Sequence, residues 1–206
     1  MGFSFQVDER VLIPRADTES VCEAALALIH PGQRALDLCT GSGAIAIAIK
    51  KLCPGAEVTA SDLSADALAL AKENAPALQA EIRFLEGDLF APVAGERFHL
   101  IVSNPPYIPL GEGPWLQAEV QREPNMALFA GQDGLDFYRR IAKEAPAHLF
   151  PGGHLVLEIG DDQFPAVSAL LAPAFTDIRL IHDLGGRPRG IAAHWEGEER
   201  HDRSAV

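Results

Sequence analysis

Seven short apolar segments, each closed by turn residues, alternate with helix-like stretches along this chain of 206 residues. Segments 35–38, 57–60, 82–85, 98–102, 154–159, 175–181 and 191–195 have the length and composition of buried strands. Stretches 18–29, 43–52, 64–74, 135–149 and 161–171 between them read as helices, with Thr18, Ser64 and Asp161 as candidate N-caps. Strand and helix in alternation predict an α/β fold: a mostly parallel sheet with helices on both faces and ligands beyond the carboxyl ends of its strands. The last two strands have no helix between them. They are joined by the turn-rich Asp183-Leu184-Gly185-Gly186-Arg187-Pro188, which predicts a hairpin and an antiparallel edge. No repeat or linker interrupts the pattern, so residues 1–195 are expected to form one domain and 196–206 a charged C-terminal tail.

With 48% hydrophobic residues the chain can fill one core. A formal charge of -12 opposes nucleic-acid binding, where phosphate neutralisation supplies most of the affinity, and favours a protein or small-molecule substrate. Cys22, Cys39 and Cys53 lie apart among apolar residues, as reduced thiols of a cytoplasmic protein would. The seven histidines lack metal-ligand spacing, and no apolar run is long enough for a membrane span.

Chemistry concentrates where strands end. Asn104-Pro105-Pro106-Tyr107 follows directly on the strand at 98–102 and Ser103. Two prolines remove two N–H donors and stiffen the backbone, leaving carbonyl oxygens beside an amide and a phenol. Such a clamp suits a planar nitrogen bearing two hydrogens: the Asn104 oxygen and the Pro105 carbonyl accept one each, and Tyr107 stacks on the plane. The interval 105–135 beyond it is the longest without regular periodicity, as functional loops are, and it holds Trp115 and Phe129 as candidate wall residues.

Asp37-Leu38-Cys39-Thr40-Gly41-Ser42-Gly43 runs from the first strand into a helix. Gly41 and Gly43 permit close backbone approach, and the helix start offers free N–H groups. Gly41, Gly43 and Ala46 also satisfy the dinucleotide fingerprint. Asp37 tilts the balance, because a carboxylate beside the turn repels a pyrophosphate and attracts the ammonium or sulfonium of S-adenosyl-L-methionine. Asp62, about twenty residues on, suits ribose hydroxyls or the cap of the next helix. Asp88 suits an adenine amino group, with Leu63 and Leu89 flanking the ring, or a local turn.

These motifs together resemble a class I, Rossmann-like S-adenosylmethionine-dependent methyltransferase acting on an amide or amino nitrogen. Val11-Leu12-Ile13-Pro14-Arg15-Ala16-Asp17-Thr18-Glu19, Glu123-Pro124 and Gly131-Gln132-Asp133-Gly134-Leu135-Asp136-Phe137-Tyr138 narrow the resemblance to the HemK/PrmC type, glutamine N5-methyltransferases of peptide chain release factors. The resemblance implies a seven-stranded sheet whose last strand is antiparallel. It assigns the cofactor's methionine portion to Thr40, Gly41 and Gly43, its ribose to Asp62 and its adenine edge to Asp88. Asn104, Pro105, Pro106 and Tyr107 become the catalytic clamp, and Arg15 and Glu19 lie over the cofactor. Two departures stand out: the Leu-Ile-Pro-Arg motif begins too early for the helical domain that precedes it in the family, and Ala16 replaces a common proline. The expected partner is a protein, a release factor being the family's. Competing readings are an adenine or guanine N-methyltransferase acting on DNA or RNA, a nicotinamide-dependent oxidoreductase, and a noncatalytic binding module.

Overall fold

The computed structural model describes residues 1–117 and 120–197; of the tail expected at 196–206, residues 198–206 lie outside the described residues. Seven strands form one sheet: β1 (Arg34–Leu38), β2 (Glu57–Asp62), β3 (Arg83–Glu86), β4 (Phe98–Ser103), β5 (Leu149–Glu158), β6 (Thr176–His182) and β7 (Pro188–Trp195). Their spatial order is β3-β2-β1-β4-β5-β7-β6. β1 to β5 pair in parallel, while β7 runs antiparallel between β5 and β6. The hairpin at 183–188 thus folds the last strand back inside β6.

Six helices accompany the sheet: α1 (Thr18–Leu26), α2 (Ala44–Leu52), α3 (Ala65–Ala77), α4 (Asn125–Leu128), α5 (Asp136–Glu144) and α6 (Phe164–Leu171). Alternate strand residues enter different cores. Leu36, Leu38, Ile101 and Leu157 meet Tyr138 and Ile141 of α5 and Val167 of α6. Ala35, Leu100, Val102 and Val156 face Val21 of α1 and Ile45 and Ile49 of α2 on the other side. This two-sided burial explains the near-continuous apolar runs of the central strands.

Local chemistry corrects two of the expected caps. Ser64 does cap α3, its Oγ accepting from the Ala67 N–H at 3.1 Å. Thr18 instead opens α1 behind Asp17 and sends its hydroxyl to Glu158 at 2.6 Å, a tertiary bond stronger than a local cap. Asp161 pairs with Arg189 at 3.1 Å, and α6 starts behind Gln163 with a proline in its first turn. Strand β5 also begins five residues earlier than its apolar pattern, at Leu149 rather than His154, because Pro151, Gly152 and Gly153 mask it.

The described residues of the interval 105–135 form short pieces. A 3₁₀ turn spans Leu110–Trp115, α4 follows, and Ile108 bonds through its N–H to Leu128 O at 2.8 Å and through its carbonyl to the Ala130 N–H at 2.9 Å. Glu123 closes this loop onto the N-terminal segment, accepting from Arg15 at 2.6 Å and from the Ile13 N–H at 3.3 Å. No helix among the described residues is long and apolar enough to cross a membrane.

Candidate functional site

Sheet register builds the site. The strand order reverses between β1 and β4, the switch point at which open α/β sheets bind ligands. Leu38 lies opposite Ser103, and the Ser103 hydroxyl donates to the Leu38 carbonyl at 2.7 Å. The glycine turn after β1 and the clamp after β4 therefore leave the sheet side by side. On the other flank Leu38 pairs with Ser61, which brings Asp62 beneath the same turn. Asp62 accepts from the Gly41 N–H at 2.8 Å and from the Ser64 N–H at 2.9 Å, so both carboxylate oxygens are held by backbone.

A cavity of about 240 Å³ opens here, roofed by Val11, Leu12, Pro124 and Met126. Of the residues singled out in the sequence, Thr40, Gly41, Asp62, Leu63, Asp88, Leu89, Asn104 and Pro106 line it. Cys39 and Leu89, both on its wall, have φ of 56° and 46°, positive values that non-glycine residues adopt only when the surroundings enforce them. Gly41 has φ of 56° with open space where a Cβ would stand. Leu63 is 55% exposed, an apolar group at the rim with nothing over it in the chain itself.

Seven of the named residues stand off the wall. Asp37 is buried under the turn: its Oδ2 accepts from the Thr40 hydroxyl at 2.6 Å and from the Ala46 N–H at 3.1 Å, tying turn and helix start together. Burial pushes its carboxyl up to about 7, against the lowering effect of those two bonds. Gly43, with φ of 83°, packs against Ala71 and Ile47 and sets the entry into α2. Pro105 is buried. Tyr107 turns its ring towards the core beside α5, its carbonyl accepting from Gln163 Nε2 at 2.9 Å, and burial raises its phenol to about 12. Phe129 and α4 of the loop beyond the clamp cover the cavity together with Val11 and Leu12, while Tyr107 does not line it. Arg15 faces a neighbouring cavity of about 280 Å³ together with Glu19, on the far side of Pro14. Trp115 is 86% exposed and takes no part in the wall, whereas Phe129 does.

Several residues escaped sequence reasoning. Ser61 lines the cavity with a buried hydroxyl lacking any partner; a polar residue in a buried apolar strand was its available signal. Arg140 of α5 pairs with Asp88 at 2.8 Å and holds that carboxylate at the rim. Glu158, the last residue of β5, lies behind Thr18 and Asn104. Both partners are distant in sequence, so no local pattern announces them.

Three orphaned features test the fit to a cationic cofactor. Asp37 Oδ1 and Ser61 Oγ are buried without partners, and the Gly41 backbone leaves unfilled space. A buried acceptor and a hydroxyl beside the turn suit an ammonium-bearing ligand. Among the described residues no group of His, Cys, Asp and Glu could hold a metal ion, and the three cysteines are free thiols.

Comparison with known proteins agrees with this geometry. Residues 22–112 match the methyltransferase small domain. The chain is 42% identical over 198 residues to the release factor glutamine methyltransferase of Deinococcus radiodurans, covering 95% of this chain and 71% of that one. Against the protein of the same name from Cereibacter sphaeroides the identity is 48% over 198 residues, covering 93% and 69%. The crystal structure of a release factor-specific protein-(glutamine-N5) methyltransferase from Alicyclobacillus acidocaldarius superposes with a TM-score of 0.57 at 35% identity, over 93% of this chain and 99% of that one.

Proposed function

This chain belongs to the release factor glutamine methyltransferase family and is a protein-glutamine N-methyltransferase; from that premise we propose that S-adenosyl-L-methionine binds the cavity at the β1–β4 switch point and that Asn104 and Pro105 present the glutamine amide to it. When bound, the cofactor supplies a methyl carbon made electrophilic by a sulfonium and leaves as a neutral thioether. Thr40 and Gly41 would hold its methionine portion, Gly43 setting the turn from behind, with Ser61 and, beneath the turn, the unpartnered Asp37 oxygen available to polar atoms there. Asp62 accepts from the ribose hydroxyls, Asp88 from the adenine amino group, and Leu63 and Leu89 cover the ring.

The amide nitrogen is a weak nucleophile because its lone pair is delocalised into the carbonyl. Acceptors at Asn104 Oδ1 and the Pro105 carbonyl would hold its two hydrogens, raise electron density on nitrogen and stabilise the positive charge that grows there as it takes the methyl group. An N–H proton would then leave the methylated nitrogen to water. Holding nitrogen, carbon and sulfur in line contributes about 7–11 kcal/mol in favourable systems. Pro106 stiffens the clamp from the cavity wall, and Tyr107 anchors it from behind.

The observation that carries this reading is the pairing of Leu38 with Ser103, which sets turn and clamp on one cavity. Residues 1–195 act as one catalytic unit on the single sheet, Arg15 acts by tying the roof through Glu123, and a release factor is the protein substrate. Three free thiols support the cytoplasm as its compartment.

The test incubates the chain with labelled methyl donor and a release factor, then locates the label by mass spectrometry. One added methyl on a glutamine side chain is the expected result; label on nucleic acid, with a steep salt dependence, would overturn the assignment. S-adenosylhomocysteine should raise the melting temperature, by about 2.7 kcal/mol of added stability at a hundred times its Kd, while NAD should not.

A further inference from the structure

Behind the clamp lies a buried carboxylate that the mechanism above does not use. Glu158 is 2% exposed at the carboxyl end of β5, the strand paired with β4. Its Oε2 accepts from the Thr18 hydroxyl at 2.6 Å, and the pairing of Ser103 with Leu157 sets Asn104, the next residue, beside it, where the side-chain amide lowers its proton affinity. Thr18 and Asn104 both line the cavity, so the carboxylate reaches the site only through them. The Tyr138 hydroxyl fixes the Glu158 main chain from α5, donating to its carbonyl at 2.8 Å.

An asparagine amide presents an acceptor on one side and a donor on the other, and its neighbours decide which way it points. A carboxylate accepts only. Next to ionised Glu158, Asn104 must turn its NH₂ inward, which leaves Oδ1 for the cavity. We infer that Glu158 is the positioning residue that sets the polarity of Asn104, so that an oxygen and not an NH₂ meets the nitrogen to be methylated. The inference rests on, and deepens, the assignment of Asn104 to the substrate amide.

Protonation inverts the arrangement. A neutral carboxyl can donate to Asn104 Oδ1, turning the NH₂ towards the substrate, where it opposes the amide's own hydrogens. Burial lifts Glu158 to about 7, with Thr18, Arg189 and Asn104 lowering it and Asp17 raising it. The groups facing it are Asp17 and Thr18 from α1, Arg189 from β7, Tyr107 from the clamp and Tyr138 from α5. Arg189 is itself held by Asp17 at 3.2 Å and Asp161 at 3.1 Å, which keeps its charge beside Glu158.

The test compares wild type with Glu158→Gln, Glu158→Met and Thr18→Val, reading kcat against pH, cofactor Kd, and the Asn104 side-chain amide signals by NMR. In wild type, kcat should fall on the acid side of about 7 and the amide signals should titrate with the same midpoint. Glu158→Gln keeps an acceptor but cannot ionise, so both titrations should vanish. Glu158→Met removes the acceptor and should turn over at least about tenfold more slowly than wild type with Glu158 ionised, above about pH 7, with cofactor Kd changed by less than about threefold. Thr18→Val removes a donor to the carboxylate and should move the acid limb to higher pH. Amide signals indifferent to pH and to Glu158→Gln, or an acid limb that survives in Glu158→Gln, would overturn the inference. A wild-type chain that methylates no glutamine would overturn the functional reading alone, because the NMR titration still decides whether Glu158 orients Asn104.

Discussion

Asn104 and Asp62 both line the cavity, yet their loss should read out differently. Asn104→Ala removes an acceptor that strengthens only as charge develops on nitrogen, so kcat should drop about 10²–10³-fold while cofactor Kd changes little. Equal losses in both, measured by steady-state kinetics and calorimetry, would contradict that division. Asp62→Ala should weaken cofactor binding by about 1.5–3 kcal/mol, roughly 10–100-fold, since a charged acceptor is lost together with its hold on the Gly41 and Ser64 N–H groups. Both residues were legible because strand ends and turn chemistry are local. Asp37 was legible as an acid beside the turn but not as one buried under it, since that depends on β1 lying between β2 and β4. Tyr107 misled for a related reason: the sequence orders the clamp correctly, but a neighbouring helix settles which way the ring turns. Ser61, Arg140 and Glu158 owe their positions to partners far along the chain.

At the level of elements, the glycine turn carries two different requirements. Gly43 has φ of 83° and a Cβ there would come within 3.2 Å of Ala71 Cβ and Ile47 Cδ1. Gly43→Ala should therefore lower stability by about 1–3 kcal/mol, visible in denaturant melts before any assay is run. At Gly41 a side chain meets no protein atom; Gly41→Ala should leave the melt less perturbed than Gly43→Ala and still weaken cofactor binding, because the space it enters belongs to the ligand. The strand and helix pattern predicted all seven strands and five of the helices, because period and turn signals are written into neighbouring residues. Cap residues were read less well, since the Thr18 hydroxyl and the Asp161 carboxylate found tertiary partners that outbid the local one.

For the molecule as a whole, two buried carboxyls contribute to how stability follows pH. Asp37 and Glu158 rise from 3.8 and 4.5 to about 7 on folding. Between about pH 4 and 7 the folded chain keeps protons that the unfolded chain has released, so this contribution to stability is present at low pH and is lost as pH rises through 7. The slope of melting temperature against pH should accordingly flatten in Glu158→Gln, and saturating S-adenosylhomocysteine should remove the part due to Asp37 by giving its carboxylate a cation. A slope unchanged in both cases would count against buried ionisation as its source. The pairing of Leu38 with Ser103 carries a further consequence. On the proposed reading, donor and acceptor are gripped by separate stretches of polypeptide whose alignment is kept by hydrogen bonds running between two central strands. A slip of one residue there would displace the acceptor's grip by about 3.3 Å, as far as the whole gap a methyl group has to cross. Damage deep in the sheet could thus silence the enzyme while both reactants still bind normally.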